Sequence, residues 1–501
     1  MILKNREMGV KMKSFKTPNW VRDAIFYQIF PDRFAYSKNI FKPSNLEPWD
    51  SPPTVYGYKG GDLLGVVENL DYLQYLGVTA IYFNPIFKST ANHRYHTYDY
   101  YQVDPILGGN NALRILLDKA HKQNMHVILD GVFNHTSRGF FQFNHIVENG
   151  PSSPYVNWFI INNYPLKPYN SSSRQHGYKS WENLPALPKL NIANPTVREF
   201  IWDIACYWIE FGIDGWRLDV PYEIKDDEFW REFRQRVKSV NPEAYIVDEA
   251  WEEAQHWLQG DQFDAVMNYL FTKTCLGFFV GDNLLRSEVS QCSYKKINTL
   301  DAQSFADEIN RILNLYPRSV TDVQFNLLGS HDTPRFKTLS RGDTEAYKLA
   351  TLFQMTYPGS PSIYYGDEIG MEGNHDPGCR GGFPWDESKW DKDLQEYVRR
   401  CIALRKAYPA LRYGKFTFLL VQSDIVAYCR QLGSETLIVI LNNSYKQIKI
   451  DLFMKNYLED GALLKNVWND NKLVVIKGYV KRISVTSRSG VVLEAIRIGS
   501  R

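Results

Sequence analysis

The chain has 501 residues, with 58 lysines and arginines against 56 acidic residues and a net charge of +2. This length exceeds one ordinary domain and suits one large barrel with one or two smaller units. The near-neutral charge, without long charge runs, gives no indication of nucleic-acid or membrane partners. Aromatic residues make up 15% of the chain, which core packing explains and which a sugar-binding cleft would also need.

The cysteines and the amino-terminal segment bear on the cellular compartment of the protein. Six cysteines are scattered without a C-x-x-C pair, which favours reduced thiols over disulfides or a zinc site. Residues 1–16 are basic but lack the apolar core of a signal peptide. No uncharged apolar run approaches the length of a membrane span. These features predict a cytoplasmic enzyme.

Short apolar runs alternate with segments of helical periodicity along most of the chain. The apolar runs are 24–34, 78–87, 125–135, 212–220, 244–251, 263–269, 323–332 and 360–371. The helical segments are 63–76, 111–123, 195–211, 226–240, 302–315, 344–355 and 391–406. Apolar strands that alternate with helices predict a parallel sheet. Eight such units predict an α/β fold with a closed (β/α)8 TIM barrel.

Two regions depart from this alternation. Residues 135–190 are rich in Asn, Ser, Pro and aromatics and show little helical periodicity, which predicts a subdomain inserted at the active face of the barrel. Short strands at 416–420, 425–429, 436–442, 448–452, 473–476 and 491–498 predict an all-β carboxyl-terminal sandwich. The predicted organisation is an extension 1–20, a barrel of 21–134 and 191–410, an inserted B subdomain 135–190 and a β-sandwich 411–501.

Acidic and imidazole side chains recur at the carboxyl ends of four predicted strands, where barrel enzymes place their reactive groups. They are Asp130, Asn134 and His135 in the third strand, Arg217 and Asp219 in the fourth, Asp248, Glu249 and Trp251 in the fifth, and His331 and Asp332 in the seventh. A single aspartate at such a place is usually a cap or a salt-bridge partner. Four such ends together favour a function, because buried charge is costly unless it is paired or used.

These residue types suit the cleavage of glycosidic bonds, which needs an ionised carboxylate near the sugar carbon and a protonated carboxyl near the leaving oxygen. Arg217 and Asp219 share one face of a strand, so the guanidinium would keep Asp219 ionised. Glu249 follows an apolar run, and less polar surroundings raise a carboxyl pKa as a general acid requires. His135 and His331 are candidate donors to sugar hydroxyls.

The four strand-end segments resemble the four signature regions of the α-amylase family of glycoside hydrolases, in the same order, over residues 19–413. The resemblance implies that Asp219 is the nucleophile and Glu249 the acid/base. It implies that Asp332 is the third carboxylate, which holds hydroxyls of the cleaved sugar. It also implies substrate contacts around the same sugar for Arg217, His135, His331, Asp130 and the aromatic Tyr95.

Three further segments resemble the branch of neopullulanases, cyclomaltodextrinases and maltogenic amylases. They are Leu187-Pro-Lys-Leu190, the run 260–269 and the run 365–373. In that branch Asp376 and Arg380 would hold sugars on the non-reducing side, although a plain loop salt bridge explains the pair equally well. Trp251 would lie on the leaving-group side, with core packing as its alternative.

The resemblance implies a retaining hydrolase that cleaves α-1,4-glucosidic bonds in cyclodextrins, maltooligosaccharides, pullulan or starch. The mechanism would be double displacement, with transglycosylation as a further option. Retention implies that the two working carboxyl groups lie about 5–5.5 Å apart. The alternatives are an α-amylase or α-glucosidase of different substrate preference and, on the same fold, a non-catalytic sugar-binding protein.

Three features depart from the pattern of the branch. The barrel begins near Val21, so the usual amino-terminal β domain is expected to be absent, which leaves oligomeric state and substrate preference open. Asp248 replaces the usual glycine before the acid/base. In a regular strand it would point away from the cleft and have a structural role, whereas in a bulged strand it would raise the pKa of Glu249.

The third departure concerns calcium. The segment 220–223 lacks the Lys-His pair of calcium-dependent α-amylases, and only the segment 60–62 matches part of a calcium pattern. No cofactor is therefore expected, and calcium is not predicted. The expected partner is an α-glucan or cyclodextrin, with no nucleic acid and no membrane.

Overall fold

The computed structural model describes residues 16–169, 175–469 and 471–496. Its centre is a set of eight parallel strands: β1 (Phe26–Ile29), β2 (Ala80–Phe83), β3 (His126–Gly131), β4 (Gly215–Leu218), β5 (Tyr245–Asp248), β6 (Ala265–Val266), β7 (Phe325–Leu327) and β8 (Ser360–Tyr364). Their hydrogen-bonded order is β6-β5-β4-β3-β2-β1-β8-β7. A parallel bridge between Met267 and Phe325 joins the two ends. The sheet therefore closes into a barrel, which confirms the predicted fold class.

Helices surround the barrel. The main ones are α1 (Leu63–Glu68), α2 (Leu70–Leu76), α3 (Gly109–Lys122), α4 (Pro195–Phe211), α5 (Asp227–Val240), α6 (Tyr269–Cys275), α7 (Ala302–Leu313), α8 (Thr344–Thr356) and α9 (Lys392–Ala407). Short helices lie at Pro31–Phe34, Phe141–Asn149, Arg286–Val289, Arg318–Thr321, Phe336–Leu339 and Ala410–Tyr413. Residues 251–263, after β5, form turns and bends. This segment and the loop after β4 border the carboxyl end of the barrel.

Several element ends differ from the prediction for local reasons. The first predicted strand ends at Ile29, because Pro31 begins a helical turn. The last barrel strand ends at Tyr364, because Gly366, with φ 84°, turns the chain. The predicted helix 63–76 is two helices that meet at Asn69.

The segment 135–190 lies between β3 and α4. The hydrogen bond from Thr136 N to Pro188 O, 3.0 Å, ties its beginning to its end. The segment contains a helix, Phe141–Asn149, although its sequence shows little helical periodicity. That helix buries Phe143 and Ile146, three positions apart, a spacing that the surrounding aromatics hide in the sequence. The boundaries predicted for the subdomain stay a prediction.

The carboxyl-terminal region is antiparallel. Its strands are β9 (Lys415–Gln422), β10 (Ile425–Leu432), β11 (Glu435–Asn442), β12 (Ile448–Phe453), β13 (Leu463–Asn466), β14 (Lys472–Val474), β15 (Tyr479–Val485) and β16 (Ser489–Ile496). One sheet has the order β9-β10-β11-β16-β13-β14, and β12 and β15 form a second sheet. Along β10, Val426 and Tyr428 join the barrel core, whereas Ile425 and Ala427 join a separate core with the second sheet. The larger sheet is therefore buried on both faces.

The sequence prediction missed β13 and β15 in this region. The burial of β15 alternates only in part, and Arg482 within it has a positive φ of 57°, so the period of two that marks a strand is interrupted. In the described part of the chain, no helix combines the length and apolar character needed to cross a bilayer.

Candidate active site

A buried arginine on β4, Arg217, brings together the carboxyl groups at the mouth of the barrel. Its Nη1 lies 2.9 Å from Asp130 Oδ1 and 3.1 Å from Asp219 Oδ1. Its Nη2 lies 2.9 Å from Glu249 Oε2. The neighbouring strands β3, β4 and β5 place these groups side by side. Three of the predicted acidic residues therefore meet on one guanidinium.

A chain of hydrogen bonds links the seventh strand end to the same cluster. Gln28 Nε2 lies 2.9 Å from His331 Nδ1, and His331 Nε2 lies 2.6 Å from the Tyr95 hydroxyl. Tyr95 donates to Asp130 Oδ2 at 2.9 Å. With the amide donating to Nδ1, the imidazole proton lies on Nε2 and faces Tyr95. Burial, followed by the charges of Arg380 and Arg217, lowers the pKa of His331 well below its usual value, so this imidazole is neutral.

The third predicted carboxylate, Asp332, lies beside that imidazole and beside a second arginine. Its Oδ2 is 3.1 Å from His331 Nε2, and its Oδ1 accepts from Arg380 Nη2 at 3.2 Å. Arg380 Nη1 lies 2.9 Å from Asp376 Oδ1. The Asp376–Arg380 pair is thus continuous with the site, although its contact with a sugar stays a prediction.

Glu249 has more polar neighbours than the sequence indicates. Besides Arg217, it accepts from the backbone N–H of Val220 at 3.0 Å and from Trp251 Nε1 at 3.3 Å. The Trp251 ring stacks on Tyr269, with centroids 3.7 Å apart, which fixes the indole donor. These contacts stabilise the ionised carboxylate, but burial is the larger effect and raises the pKa of Glu249.

The other carboxyl groups of the cluster also bind protons more tightly than in water. Burial raises the pKa of Asp219 well above its usual range, and the charge of Arg217 opposes this only in part. Burial, with the charge of Glu249 second, raises the pKa of Asp332 to about 7. Arg217 lowers the pKa of Asp219 in the predicted direction, but burial opposes it, and one guanidinium is shared among three carboxyls. Among these groups Asp332, with a pKa of about 7, can exchange a proton near neutral pH.

His135 lies apart from this hydrogen-bonded cluster. Its Nδ1 contacts Asn134 Nδ2 at 3.2 Å, and its ring is nearly parallel to Trp181, with centroids 5.3 Å apart. Its buried Nε2 has no hydrogen-bond partner among the described residues. Burial lowers the pKa of His135 to about 3, so the neutral ring can exchange one hydrogen bond with a ligand.

Several residues of the site were not predicted from the sequence. Tyr82 donates to Asp130 Oδ2 at 2.7 Å, and Asn84 Nδ2 contacts the Tyr95 hydroxyl at 3.1 Å. Gln28 contacts the neutral imidazole of His331, and Met267 contacts the guanidinium of Arg217. Polar residues inside apolar strands were the available signal, as in the run 26–29, Phe-Tyr-Gln-Ile.

Asp248 lies on the opposite face of β5 from Glu249. It is fully buried, and neither carboxyl oxygen has a hydrogen-bond partner within the described ranges. The strand pairs in regular register with both neighbours. The structure thus places Asp248 away from the cleft and shows none of the bulge that the alternative required.

The partial calcium pattern contains a carboxylate with other partners. Asp62 lies 2.8 Å from Lys42 Nζ and accepts from Gly65 N at 2.7 Å. An ammonium group and an N–H donor take the oxygens that calcium would need, so these residues do not fit the ion. Across the described residues, no group of three or more His, Cys, Asp or Glu side chains is arranged to hold a metal.

Comparison with known proteins decides the family. The sequence pattern of the alpha amylase catalytic domain matches residues 28–407. The chain belongs to the α-amylase family. It is 44% identical over 442 residues to a cyclomaltodextrinase of Geobacillus thermopakistaniensis, covering 87% of this chain and 72% of that protein. It is 42% identical over 434 residues to neopullulanase 2 of Thermoactinomyces vulgaris, covering 86% and 71%.

A solved structure, the debranching enzyme of Nostoc punctiforme, superposes with a TM-score of 0.87 at 47% identity, covering 96% of this chain and 100% of that chain. These likenesses confirm the predicted family, branch and barrel fold. This α-amylase-family protein is a glycosidase. The roles of its individual residues rest on the geometry described above.

Proposed function

We propose that this glycosidase cleaves α-1,4-glucosidic bonds in cyclodextrins, maltooligosaccharides, pullulan or starch with retention of configuration. The observation that supports this most is that Asp219 and Glu249 contact the two terminal nitrogens of one guanidinium. Carboxyl groups so close to one another suit the separation of about 5–5.5 Å found in retaining enzymes. The names of the relatives, cyclomaltodextrinase and neopullulanase, support the substrate class.

The reactive form of the coupled cluster has Asp219 ionised and Glu249 protonated. In the first step the ionised Asp219 attacks the anomeric carbon while Glu249 donates its proton to the leaving glycosidic oxygen. The carbon–oxygen bond breaks, and a covalent glycosyl ester forms on Asp219. Arg217 contacts both carboxyls and orients them. The indole N–H of Trp251 and the N–H of Val220 hold Glu249 in place and stabilise the negative charge left on it.

In the second step the ionised Glu249 removes a proton from water, and the water oxygen displaces Asp219 from the sugar carbon. The two inversions give net retention and return both carboxyls to their starting states. A sugar hydroxyl that replaces water gives transglycosylation. The raised pKa of Glu249 supports this exchange of acid and base roles.

The remaining cluster holds the sugar at the cleavage point. Asp332 accepts hydrogen bonds from sugar hydroxyls, and the neutral His331 and Tyr95 exchange hydrogen bonds with the same ring. Arg380 orients Asp332 through its Nη2, and Asp376, on the solvent side of Arg380, contacts the next sugar. Asp130 positions Arg217, and His135 offers its unpaired Nε2.

A second candidate activity is the cleavage of α-1,6 bonds. The structural relative from Nostoc punctiforme is named a debranching enzyme and is matched over 100% of its length at 47% identity. The same pair of carboxyls serves either linkage, so the loops around the leaving group would decide the preference.

We also propose that the enzyme acts in the cytoplasm and without a metal. A Bacillus subtilis relative, 38% identical, is named intracellular maltogenic amylase, which supports the location. The contact of Lys42 with Asp62 supports independence from calcium.

The test is the initial rate of reducing-sugar release from β-cyclodextrin, pullulan, starch and a branched dextrin, with NMR of the first product anomer. We expect β-cyclodextrin and pullulan to be preferred over long starch, and the first product to be the α-anomer. A β-anomer would contradict retention, and equal negligible release from the wild type and Glu249→Gln would contradict the enzyme proposal.

A further inference from the structure

The peptide bond between His331 and Asp332 joins two residues of the site and is held at both of its polar groups. The carbonyl oxygen of His331 accepts hydrogen bonds from the thiol of Cys379, with Sγ at 3.2 Å, and from Arg380 Nε at 2.9 Å. The N–H of Asp332 donates to Ser330 Oγ at 3.2 Å. Because a peptide unit is planar, these contacts fix the backbone from which both side chains start.

Cys379 acts as a hydrogen-bond donor in this position. Its side chain is fully buried, and burial raises the pKa of the thiol to about 12, so the sulfur keeps its proton at neutral pH. A carbonyl oxygen has two lone pairs, so that of His331 can accept the thiol and the guanidinium of Arg380 together. The two donors therefore support each other and do not compete.

The backbone of Cys379 is itself held by neighbouring residues. Its carbonyl oxygen accepts from Arg335 Nε at 3.1 Å and from the Tyr364 hydroxyl at 3.3 Å. Arg335 Nη1 also donates to Tyr365 O and to Asp367 Oδ1, both at 2.7 Å. The sulfur is therefore anchored to the end of β8 and to the loop that follows it.

The loop after β7 and the loop after β8 thus hold each other. The thiol of Cys379 donates to His331, while Arg335, four residues after His331, donates back to Cys379. The N–H of Arg335 also donates to Gly373 O at 2.9 Å. A Cβ at Gly373 would lie 2.5 Å from Gly378 O, so a side chain there would push away the turn that carries Cys379.

Core packing is the plain alternative, because a free cysteine often behaves as a small apolar residue. Cys275 on α6 is such a residue, packed within the barrel core. Cys379 is equally buried but lies outside the two apolar cores formed by the described residues. Its sulfur instead contacts a backbone carbonyl directly before Asp332, which favours a role in the site.

Resting on the proposed function, we propose that Cys379 is a positioning residue for Asp332. Its thiol and the guanidinium of Arg380 fix the peptide between His331 and Asp332, and this peptide directs the carboxylate of Asp332 towards the sugar. Small displacements of groups around the reacting atoms reduce rates strongly. Hydrogen bonds to the sugar hydroxyls strengthen in the transition state, so loss of the thiol should lower kcat and leave KM nearly unchanged.

The experiment compares three variants of Cys379 on the glucan that the wild type cuts fastest. Cys379→Ala and Cys379→Val remove the donor, and valine also fills the space of the sulfur. Both are expected to lower kcat roughly three- to tenfold, the scale of one hydrogen bond. A serine hydroxyl is a donor, so Cys379→Ser should recover at least about half of the wild-type kcat by the same hydrogen bond.

Cys275→Ala is the matched control, because it removes a sulfur that is equally buried. It should lower the free energy of unfolding and leave kcat per folded enzyme at the wild-type value. If Cys379→Ala does not fold, the comparison of Cys379→Val with Cys379→Ser decides the question.

A second measurement tests the path through Asp332. In the Asp332→Asn background, Cys379→Ala should cause no further loss of kcat, because the group that it positions is already changed. A nitrophenyl α-maltoside keeps these slow rates measurable, since its leaving group departs readily.

An unchanged kcat in both apolar variants overturns the inference. A serine variant as slow as the apolar variants also overturns it, as does a full further loss of kcat in the Asp332→Asn background. If the wild type cuts no glucan, the proposed function fails and this inference fails with it. If the wild type is active and any of the three contrary results is found, only the inference fails.

Discussion

Glu249 and Asp248 are neighbours in the chain and lie on opposite faces of the same barrel strand. On the inner face, Glu249 contacts Arg217 Nη2 at 2.9 Å and accepts hydrogen bonds from Val220 N and Trp251 Nε1. On the outer face, Asp248 is fully buried, and within the described part of the chain both its oxygens lack a hydrogen-bond partner.

The difference shows how burial acts on a carboxyl with and without partners. A buried negative charge is costly unless cations or N–H donors surround it. Inside the barrel those partners lower the free energy of the ionised form of Glu249, so that this form can occur during the reaction. Outside, burial raises the pKa of Asp248 well above its usual range, and the charge of Glu249 raises it further. We therefore expect Asp248 to be protonated in the folded protein and to affect stability rather than chemistry.

The largest expected effect is on the inner face. Glu249→Gln keeps the size of the side chain and removes its proton exchange, so kcat should fall roughly 10²- to 10⁴-fold. Activity on β-cyclodextrin measures the loss. Glu253→Gln, an exposed residue of the same loop, is the control and should retain full activity. A Glu249→Gln enzyme with a tenth or more of wild-type kcat would contradict the acid/base role.

Arg217→Lys tests the partner of Glu249. Lysine cannot reach three carboxyls at once, so uncompensated buried charge remains, and the free energy of unfolding should fall by about 3–5 kcal/mol. Urea unfolding measures this free energy. Arg231→Lys, in an exposed ion pair with Asp261, should leave the free energy of unfolding almost unchanged, because solvent screens exposed pairs. Equal changes in the two variants would show that Arg217 is not the centre of the cluster.

Asp248→Asn tests the outer face through pH. The pKa of Asp248 in the folded state lies above the unfolded value of about 3.9. Its contribution to stability is therefore present below the unfolded pKa and is lost as pH rises through the folded pKa. The variant cannot ionise, so its stability relative to the wild type should increase with pH.

Each unit of pKa difference corresponds to about 1.4 kcal/mol, and urea unfolding at pH 5, 7 and 9 measures the trend. Asp307→Asn, on the exposed face of α7, is the control and should show no such trend. A constant difference between Asp248→Asn and the wild type at all three values of pH would contradict the raised pKa, because it would mean that Asp248 is ionised in the folded state as it is in the unfolded state.

The smallest expected effect concerns Gln28, which supports the inner face from a distance. Gln28→Leu removes the contact to His331 Nδ1, and one hydrogen bond corresponds to a roughly two- to tenfold loss in kcat/KM. Gln303→Leu, an exposed glutamine, should leave kcat/KM unchanged. If Gln28→Leu also matches the wild type, the orientation of His331 does not depend on the amide.

The sequence predicted best the helices and strands whose ends are set by residues next to them in the chain. Helix α4 spans the predicted residues, because Asn194 caps it, Pro195 begins it and Gly212, with φ 114°, ends it. Strand β6 was predicted as 263–269 but spans Ala265–Val266. Its bounds depend on pairing with distant strands, for which no local residue gives a signal.

The same distinction holds for the site. Asp219, Glu249 and Asp332 could be found because carboxyl ends of strands meet at one face of a barrel. Tyr82 and Gln28 could not be assigned, since a buried polar residue in a strand does not reveal its partner. The sharing of the Arg217 guanidinium depends on three strands that are far apart in sequence. The sequence therefore did not reveal how burial and Arg217 together set the pKa of Asp219.

The bridge between Met267 and Phe325 that closes the barrel has a consequence for how activity arises. Met267 Sδ also lies 3.4 Å from Arg217 Nε, so the residue that completes the ring of strands also supports the guanidinium at its centre. A chain in which Met267 has not joined Phe325 would leave that side of Arg217 without its neighbour. We therefore expect catalytic competence to require the closed ring of strands, so that regained activity after refolding reports the joining of the two ends of the sheet.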